Sequence, residues 1–255
     1  MHNGTPMSDT FHNVYEDEQR ARAYADLDFP GTYYLAFRDI PRLLRKHVAG
    51  NRALDFGCGA GRSTRFLRSL GFDVMGIDES EPMLREASAR DPQGSYLLVR
   101  DDDWGVLGDR TFDLVLCAFP FDNIPGRERR SGLFRQLAQR LAPNGRIVNL
   151  VSSAEIYVNE WLSFSTRDFP ENRYAASGDP VRIVMLDVPD RRPVEDIFWT
   201  DRDYAETFAP AGLEIVEVHH PLGAETDPFE WVSEYTVSPW TIHILCNAMG
   251  HLTSG

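Results

Sequence analysis

The chain predicts an α/β protein. It reads as a doubly wound, seven-stranded, mostly parallel sheet with N-terminal helices and an inserted lid before the sixth strand. Three observations predict this. Short apolar runs alternate with helical patterns from Arg52 to Ser153. Gly57, Gly59 and Gly61 sit at alternate positions after the first apolar run, and Asp78 closes the second. The alternation breaks over 152–199 and then resumes.

Each element carries its own signal. Residues 1–12 are polar and read as a frayed end. From Val14 to Tyr24 the charged run suggests a helix, which stops at "DFPGT". "YYLAFRDIPRLLRKHV" is a second amphipathic segment, interrupted at Pro41. "RALDFG" is a short apolar strand, and "GRSTRFLRSLG" a helix ended by Gly71. "FDVMGID" is the second strand, followed by "SEPMLREASAR" with Ser80 as cap and Pro82 in the first turn. "SYLLVRD" and "TFDLVLCAF" are the third and fourth strands. "SGLFRQLAQRLAPNG" is a helix, and "RIVNLVSS" the fifth strand. Helices between apolar strands impose parallel pairing through right-handed crossovers.

In the segment that breaks the rhythm, "AEIYVNEWLSFSTRDF" is aromatic and compatible with a helix. "PVRIVMLDVPDRRPVEDIFWT" reads as two strands around a polar turn. "DRDYAETFAPAG" then restores a helix, and "LEIVEVHHP" and "PWTIHILCNAM" supply the last two strands. The expected organisation is a helical cap over 1–50 and one domain over 51–255, with a substrate-side insertion at 152–199.

Composition narrows the classes. The 255 residues are 42% hydrophobic and 25% charged, ordinary values for a globular chain. No apolar run approaches the roughly 20 residues needed to span a bilayer, so no membrane partner is expected. The start of the chain lacks the layout of a secretory signal. Cys58, Cys117 and Cys246 form no CxxC or Cys/His cluster, so no metal is expected; they read as reduced thiols of a cytoplasmic protein. A net charge of −13 disfavours a polyanionic partner, and no nucleic acid is expected. Oligomeric state is not encoded in any of these features.

In a doubly wound sheet, ligands bind outside the carboxyl ends of the strands, where the strand order reverses. The glycines lie in that position, where they let the backbone turn sharply and approach a ligand. A carboxylate at Asp78 can accept hydrogen bonds from both hydroxyls of a ribose. A dinucleotide site would want G-x-G-x-x-G, yet "GCGAGR" places Gly61 one position early and Arg62 where the third glycine belongs. With Asp55 two positions ahead, the pattern D-x-G-x-G-x-G resembles the first motif of the class I S-adenosylmethionine-dependent methyltransferases. "VRDDDWGVLGDRTFDLVL", "FDLVLCAFPFDNIP", "LAPNGRIV" and "FAPAGLEIVEV" are similar to that family's later motifs, with Asn144 where glycine is commoner. The likeness covers roughly 52–151 and 200–250.

The resemblance implies S-adenosyl-L-methionine as cofactor and a methyl group moved in line to an oxygen or nitrogen of a small-molecule acceptor. It implies a cofactor site around the loop, at Asp55, Gly57, Cys58 and Gly59. Asp78, Glu79 and Met83 follow after the second strand, Asp101 and Asp102 after the third, and Cys117 and Ala118 at the end of the fourth. Asp55 has a second reading as a brace for the loop, Asp78 as a helix cap, and Cys58 as a residue chosen for small size. Asp122, after the fourth strand, and His219, at the end of the sixth, are candidate bases; His219 also reads as a surface or capping residue. Tyr33, Tyr34, Phe121, Trp161 and Trp199 are candidate acceptor contacts. The alternative for the aromatic residues of the insertion is a small core of its own. Competing classes are a nucleic-acid or protein methyltransferase, a non-catalytic cofactor-binding module and a dehydrogenase. An Asn/Asp-Pro-Pro-aromatic run is common where the first of these acts on nitrogen; here the run is Ala118-Phe119-Pro120-Phe121, without the leading Asn or Asp.

Overall fold

A computed structural model describes residues 30–100 and 103–248. The expected charged helix of 14–24, and Asp101 and Asp102, lie outside the described residues. Strands β1 (Arg52–Phe56), β2 (Asp73–Asp78), β3 (Ser95–Leu98), β4 (Phe112–Ala118), β5 (Leu141–Ser152), β9 (Leu213–His219) and β10 (Trp240–Asn247) form one sheet in the order β3-β2-β1-β4-β5-β10-β9. The pairs from β3 through β5 are parallel, and β10 runs antiparallel to both β5 and β9. The order reverses between β1 and β4, so their carboxyl ends diverge and leave a crevice.

The central strands are mostly apolar because both of their faces are covered. Side chains alternate between two cores: Ala53, Leu114, Leu116, Val148 and Leu150 enter one, and Leu54, Val115, Cys117, Ile147 and Val151 enter the other. On the first face lie helices α1 (Thr32–Arg38), α2 (Ile40–His47) and α3 (Arg62–Ser69). The second face is covered by α5 (Arg127–Gln139) and α6 (Asp201–Phe208). Asp39 separates α1 from α2, and Pro41 occupies the first turn of α2, where its missing N–H leaves no bond unmade. Helix α4 (Glu81–Arg90) starts as expected, its Met83 N–H donating to Ser80 Oγ at 3.4 Å.

Two expectations change. The helix expected to begin at Ser131 begins at Arg127, and β5 starts at Leu141, inside the expected helix end. Phe112 draws residues 140–141 into the sheet by donating its N–H to the Arg140 carbonyl at 2.8 Å. Asn144 then turns with φ 65°, a conformation that asparagine tolerates better than most residues. The stretch 154–169 is not a helix. It holds a 3-10 turn at Ala154–Tyr157 and a short strand, β6 (Phe164–Ser165). Polar side chains take the backbone groups a helix would use: Glu160 accepts from the Thr166 N–H at 2.8 Å, and Thr32 Oγ1 accepts from the Ser163 N–H at 3.0 Å. Strands β7 (Pro180–Met185) and β8 (Val194–Ile197) complete a small antiparallel sheet in the order β6-β7-β8.

Candidate functional site

A cleft of about 670 Å³ opens at the carboxyl ends of β1, β2 and β4. The glycine loop from Gly57 to Ala60, Asp78 and Glu79, Ala118 to Pro120, and the pair Asn123 and Ile124 border it. Met83, Val99 and Trp104 wall it with apolar surface.

The three glycines do different work. A Cβ on Gly57 (φ 69°) would lie 2.6 Å from the Pro120 ring, and one on Gly61 (φ 76°) would lie 2.5 Å from the Tyr96 hydroxyl. Both are therefore required by the protein's own packing. On Gly59 (φ 53°) the nearest atom would be Met83 Cε at 3.6 Å, so there the missing side chain leaves space beside the cleft. Asp78 holds this loop: its Oδ2 accepts the Gly59 N–H and its Oδ1 the Ser80 N–H, each at 2.8 Å. Burial pushes its carboxyl up to about 6, against the downward pull of those two N–H groups.

Asp55 is buried beneath the loop and does not border the cleft. Its Oδ2 accepts from Ser63 Oγ at 2.7 Å and Thr64 Oγ1 at 2.6 Å, tying β1 to the first turn of α3. The geometry is that of the brace rather than a ligand contact, and burial lifts this carboxyl to about 6. Cys58 does border the cleft, but burial and the charges of Asp55 and Asp78 push its thiol well above the usual range, which suits packing and not nucleophilic chemistry. Gly57, Gly59, Asp78, Glu79, Met83 and Ala118 also face the cleft, whereas Cys117 is sealed in the second core.

The candidate bases are not in the cleft. Asp122 is buried and accepts from the Ser152 N–H and, at 2.8 Å, from Ser152 Oγ, so it fastens the loop after β4 to the end of β5. Burial raises its carboxyl to about 6. His219 Nε2 lies 2.7 Å from Asp39 Oδ2 and joins β9 to the α1–α2 corner. The candidate acceptor contacts are corrected in the same way. Phe121 stacks on Phe134 with centroids 4.0 Å apart, and Tyr33 stacks on Trp240 at 5.5 Å. Tyr34 packs on Phe229 and Trp231. Trp161 is 2% exposed and donates its Nε1–H to the Ile156 carbonyl at 2.9 Å. Trp199 lies under the Arg130 guanidinium, 4.3 Å from its ring centre. None of the five borders the cleft.

Several cleft residues had no place in the expected set. Phe119 turns left-handed at the end of β4 (φ 71°, ψ 0°), a strained conformation for a bulky residue, and its ring packs on Trp240 at 4.8 Å. Arg62 lies 5.0 Å over the Tyr33 ring. Trp104 stacks beside Phe56 at 5.9 Å. Only Arg62 had a sequence signal, its place at the end of the glycine motif. Among the described residues no group of three or more His, Cys, Asp or Glu could hold a metal ion, and no helix is long and apolar enough to cross a membrane.

Comparisons with known proteins agree with this geometry. A family model described as "Methyltransferase domain" matches residues 22–218, and the chain belongs to that family. It is a class I S-adenosylmethionine-dependent methyltransferase, an enzyme whose cofactor is S-adenosyl-L-methionine. A trans-aconitate 2-methyltransferase of Variovorax paradoxus is 26% identical over 74% of this chain and 69% of its own length. A ubiquinone biosynthesis O-methyltransferase of Burkholderia ambifaria is 26% identical over 69% of this chain and 72% of its own. The fold is shared with an S-adenosylmethionine-dependent methyltransferase structure from Clostridium acetobutylicum, which is 14% identical with a TM-score of 0.57. That alignment covers 92% of this chain and 97% of the other.

Proposed function

We propose that this enzyme methylates an oxygen or nitrogen of a small molecule by in-line displacement, with the cofactor lying in the cleft that Gly59 opens. The open cradle at Gly59, beside a carboxylate held by backbone N–H groups, is the observation that carries the reading. Each oxygen of Asp78 retains lone-pair capacity for a ribose hydroxyl, and the cleft volume falls within the ~300–1,000 Å³ typical of small-molecule sites. S-adenosylmethionine supplies a methyl group on a sulfonium and departs as a neutral thioether. The chain's part is to hold the reactants in line and exclude water, for which Phe37, Phe56, Met83 and Trp104 provide apolar walls.

Among the described residues that line the cleft there is no histidine, and Asp122 is turned into the core. This supports an acceptor atom that already offers a lone pair at neutral pH, such as a carboxylate or an aromatic amine. The net charge of −13 and the small-molecule names of the two relatives favour a small acceptor over a polyanion. Three unpaired thiols support a cytoplasmic setting. On this reading 51–255 is the catalytic domain, 1–50 its helical cap, and 152–199 an insertion that buttresses the cleft.

Calorimetric titration with S-adenosylhomocysteine tests the cofactor site, with saturable one-to-one binding expected and none with NAD. A mass gain of one methyl group across a panel of small carboxylates, phenols and amines tests the acceptor. Binding of NAD in place of S-adenosylhomocysteine would overturn the reading.

A further inference from the structure

The insertion contributes no residue to the cleft, yet it grips the wall of it. Strand β8 runs beside the loop that follows β4, and Asn123 of that loop borders the cleft. With its amide turned to satisfy the network, Asn123 Nδ2 donates to Asp196 Oδ1 at 3.0 Å and to the Glu195 carbonyl at 3.1 Å. Asp196 is buried, and its Oδ2 accepts from the Tyr157 hydroxyl at 3.0 Å inside the insertion. One carboxylate thus joins the insertion's own core to a residue of the cleft wall. A second tie runs parallel to it: Arg130, packed on Trp199 at the end of the insertion, donates its Nε–H to the carbonyl of Ile124 at 2.7 Å.

We propose that Asp196 is a positioning residue for the cofactor cleft, fixing Asn123 in the wall against which the bound cofactor lies. This rests on the reading that the cleft holds S-adenosylmethionine. With Nδ2 committed to β8, rotation of the amide would break both hydrogen bonds and turn its oxygen towards the Asp196 carboxylate and the Glu195 carbonyl, which is the physical basis of the fixation. The insertion therefore acts on the site by holding its wall and not by roofing it.

The test is a double-mutant cycle on S-adenosylhomocysteine affinity, measured by calorimetry, with thermal unfolding recorded for every variant. Wild-type protein that fails to bind S-adenosylhomocysteine overturns the cofactor reading itself, before the cycle is read. Given binding, Asn123→Ala and Asp196→Ala are each expected to weaken it about tenfold, the scale of one well-placed hydrogen bond. The double variant should be no weaker than either single, because both changes remove the same contact. Tyr157→Phe removes the hydroxyl that Asp196 accepts within the insertion, so it should lower thermal stability and leave affinity within twofold. Should Asp196→Ala not fold, Asp196→Asn takes its place in the cycle, with a few-fold loss expected. Unchanged affinity in Asn123→Ala or in the Asp196 variant, additive losses in the double, or a Tyr157→Phe loss as large as that of Asp196→Ala would each overturn the proposal.

Discussion

The glycine loop and the insertion use opposite means to build around the same sheet. At the ends of β1, β2 and β4 the chain leaves volume unfilled, with Gly59 open beside the cleft and Asp78 spending its charge on backbone N–H groups. In the insertion every large aromatic side chain in question is spent on packing: Trp161 and Phe164 join the core formed with α1 and α2, and Trp199 joins the opposite core. Aromatic density thus marks a place where a small unit needs apolar volume. A pocket is marked instead by missing side chains at a strand-order reversal.

The sharpest way to break that contrast is to remove a large aromatic from the insertion. Trp161→Ala should destabilise the protein by about 3–5 kcal/mol, the usual cost of an aromatic cavity, and leave S-adenosylhomocysteine affinity of the folded fraction unchanged. Denaturant unfolding and calorimetry on one preparation check both halves, and stability close to wild type would contradict the core reading and return Trp161 to the acceptor contacts.

Gly59→Val tests the other side. The new side chain meets no protein atom closer than 3.6 Å at its Cβ, so the fold should survive with a backbone penalty of ~1–2 kcal/mol. Cofactor binding should fall at least a hundredfold, because the branches would enter the space a ligand needs. Wild-type affinity in this variant would move the ligand elsewhere.

Asp78→Asn keeps the size of the side chain and removes its charge. S-adenosylhomocysteine affinity should drop about tenfold to a hundredfold, with circular dichroism unchanged.

Acid makes the same change reversibly. Burial lifts the Asp78 carboxyl from 3.8 to about 6, so the folded protein holds this proton more tightly than the unfolded chain does. As pH falls from about 6 towards 4, the group therefore adds to fold stability, and Asp55 and Asp122 act in the same direction. Affinity goes the other way, since a protonated Asp78 is a poorer acceptor. Between pH 7.5 and 5 binding should weaken about tenfold without loss of the folded baseline. Affinity that is flat across this range would separate Asp78 from the ligand.

The smallest effect is expected at His219. Its imidazole meets Asp39, whose carboxyl lies well below its usual range through the hydrogen bond to His219 first and Arg38 second. His219→Ala should leave affinity and turnover within twofold and lower stability by no more than ~1–2 kcal/mol. A collapse of turnover with binding intact would return His219 to the chemistry.

Legibility followed the range of the interactions. The parallel strands were readable because a strand buried on both faces is apolar at most positions, and α4 because its Ser80 cap and Pro82 act within one turn. Asp122 was misplaced because the left-handed turn at Phe119 rotates the next residues inward, so that its carboxylate meets Ser152, thirty positions on. No local pattern announces such a turn when the residue is a phenylalanine. The hold of the insertion on Asn123 was not legible, because Asp196 lies far along the chain.

The sequence by itself determined the doubly wound sheet, the strand ends where the cleft opens, and the family, since glycine spacing, apolar periodicity and caps are short-range physics written in adjacent residues. Tertiary structure alone decided which carboxylates face the cleft, that Asp55 is a brace and Asp122 a fastener, and that the aromatic residues of the insertion are core. Those assignments depend on which way each side chain points once distant segments compete for the same buried volume. That competition is settled by packing and by pairing every buried polar group, neither of which is a property of any local stretch.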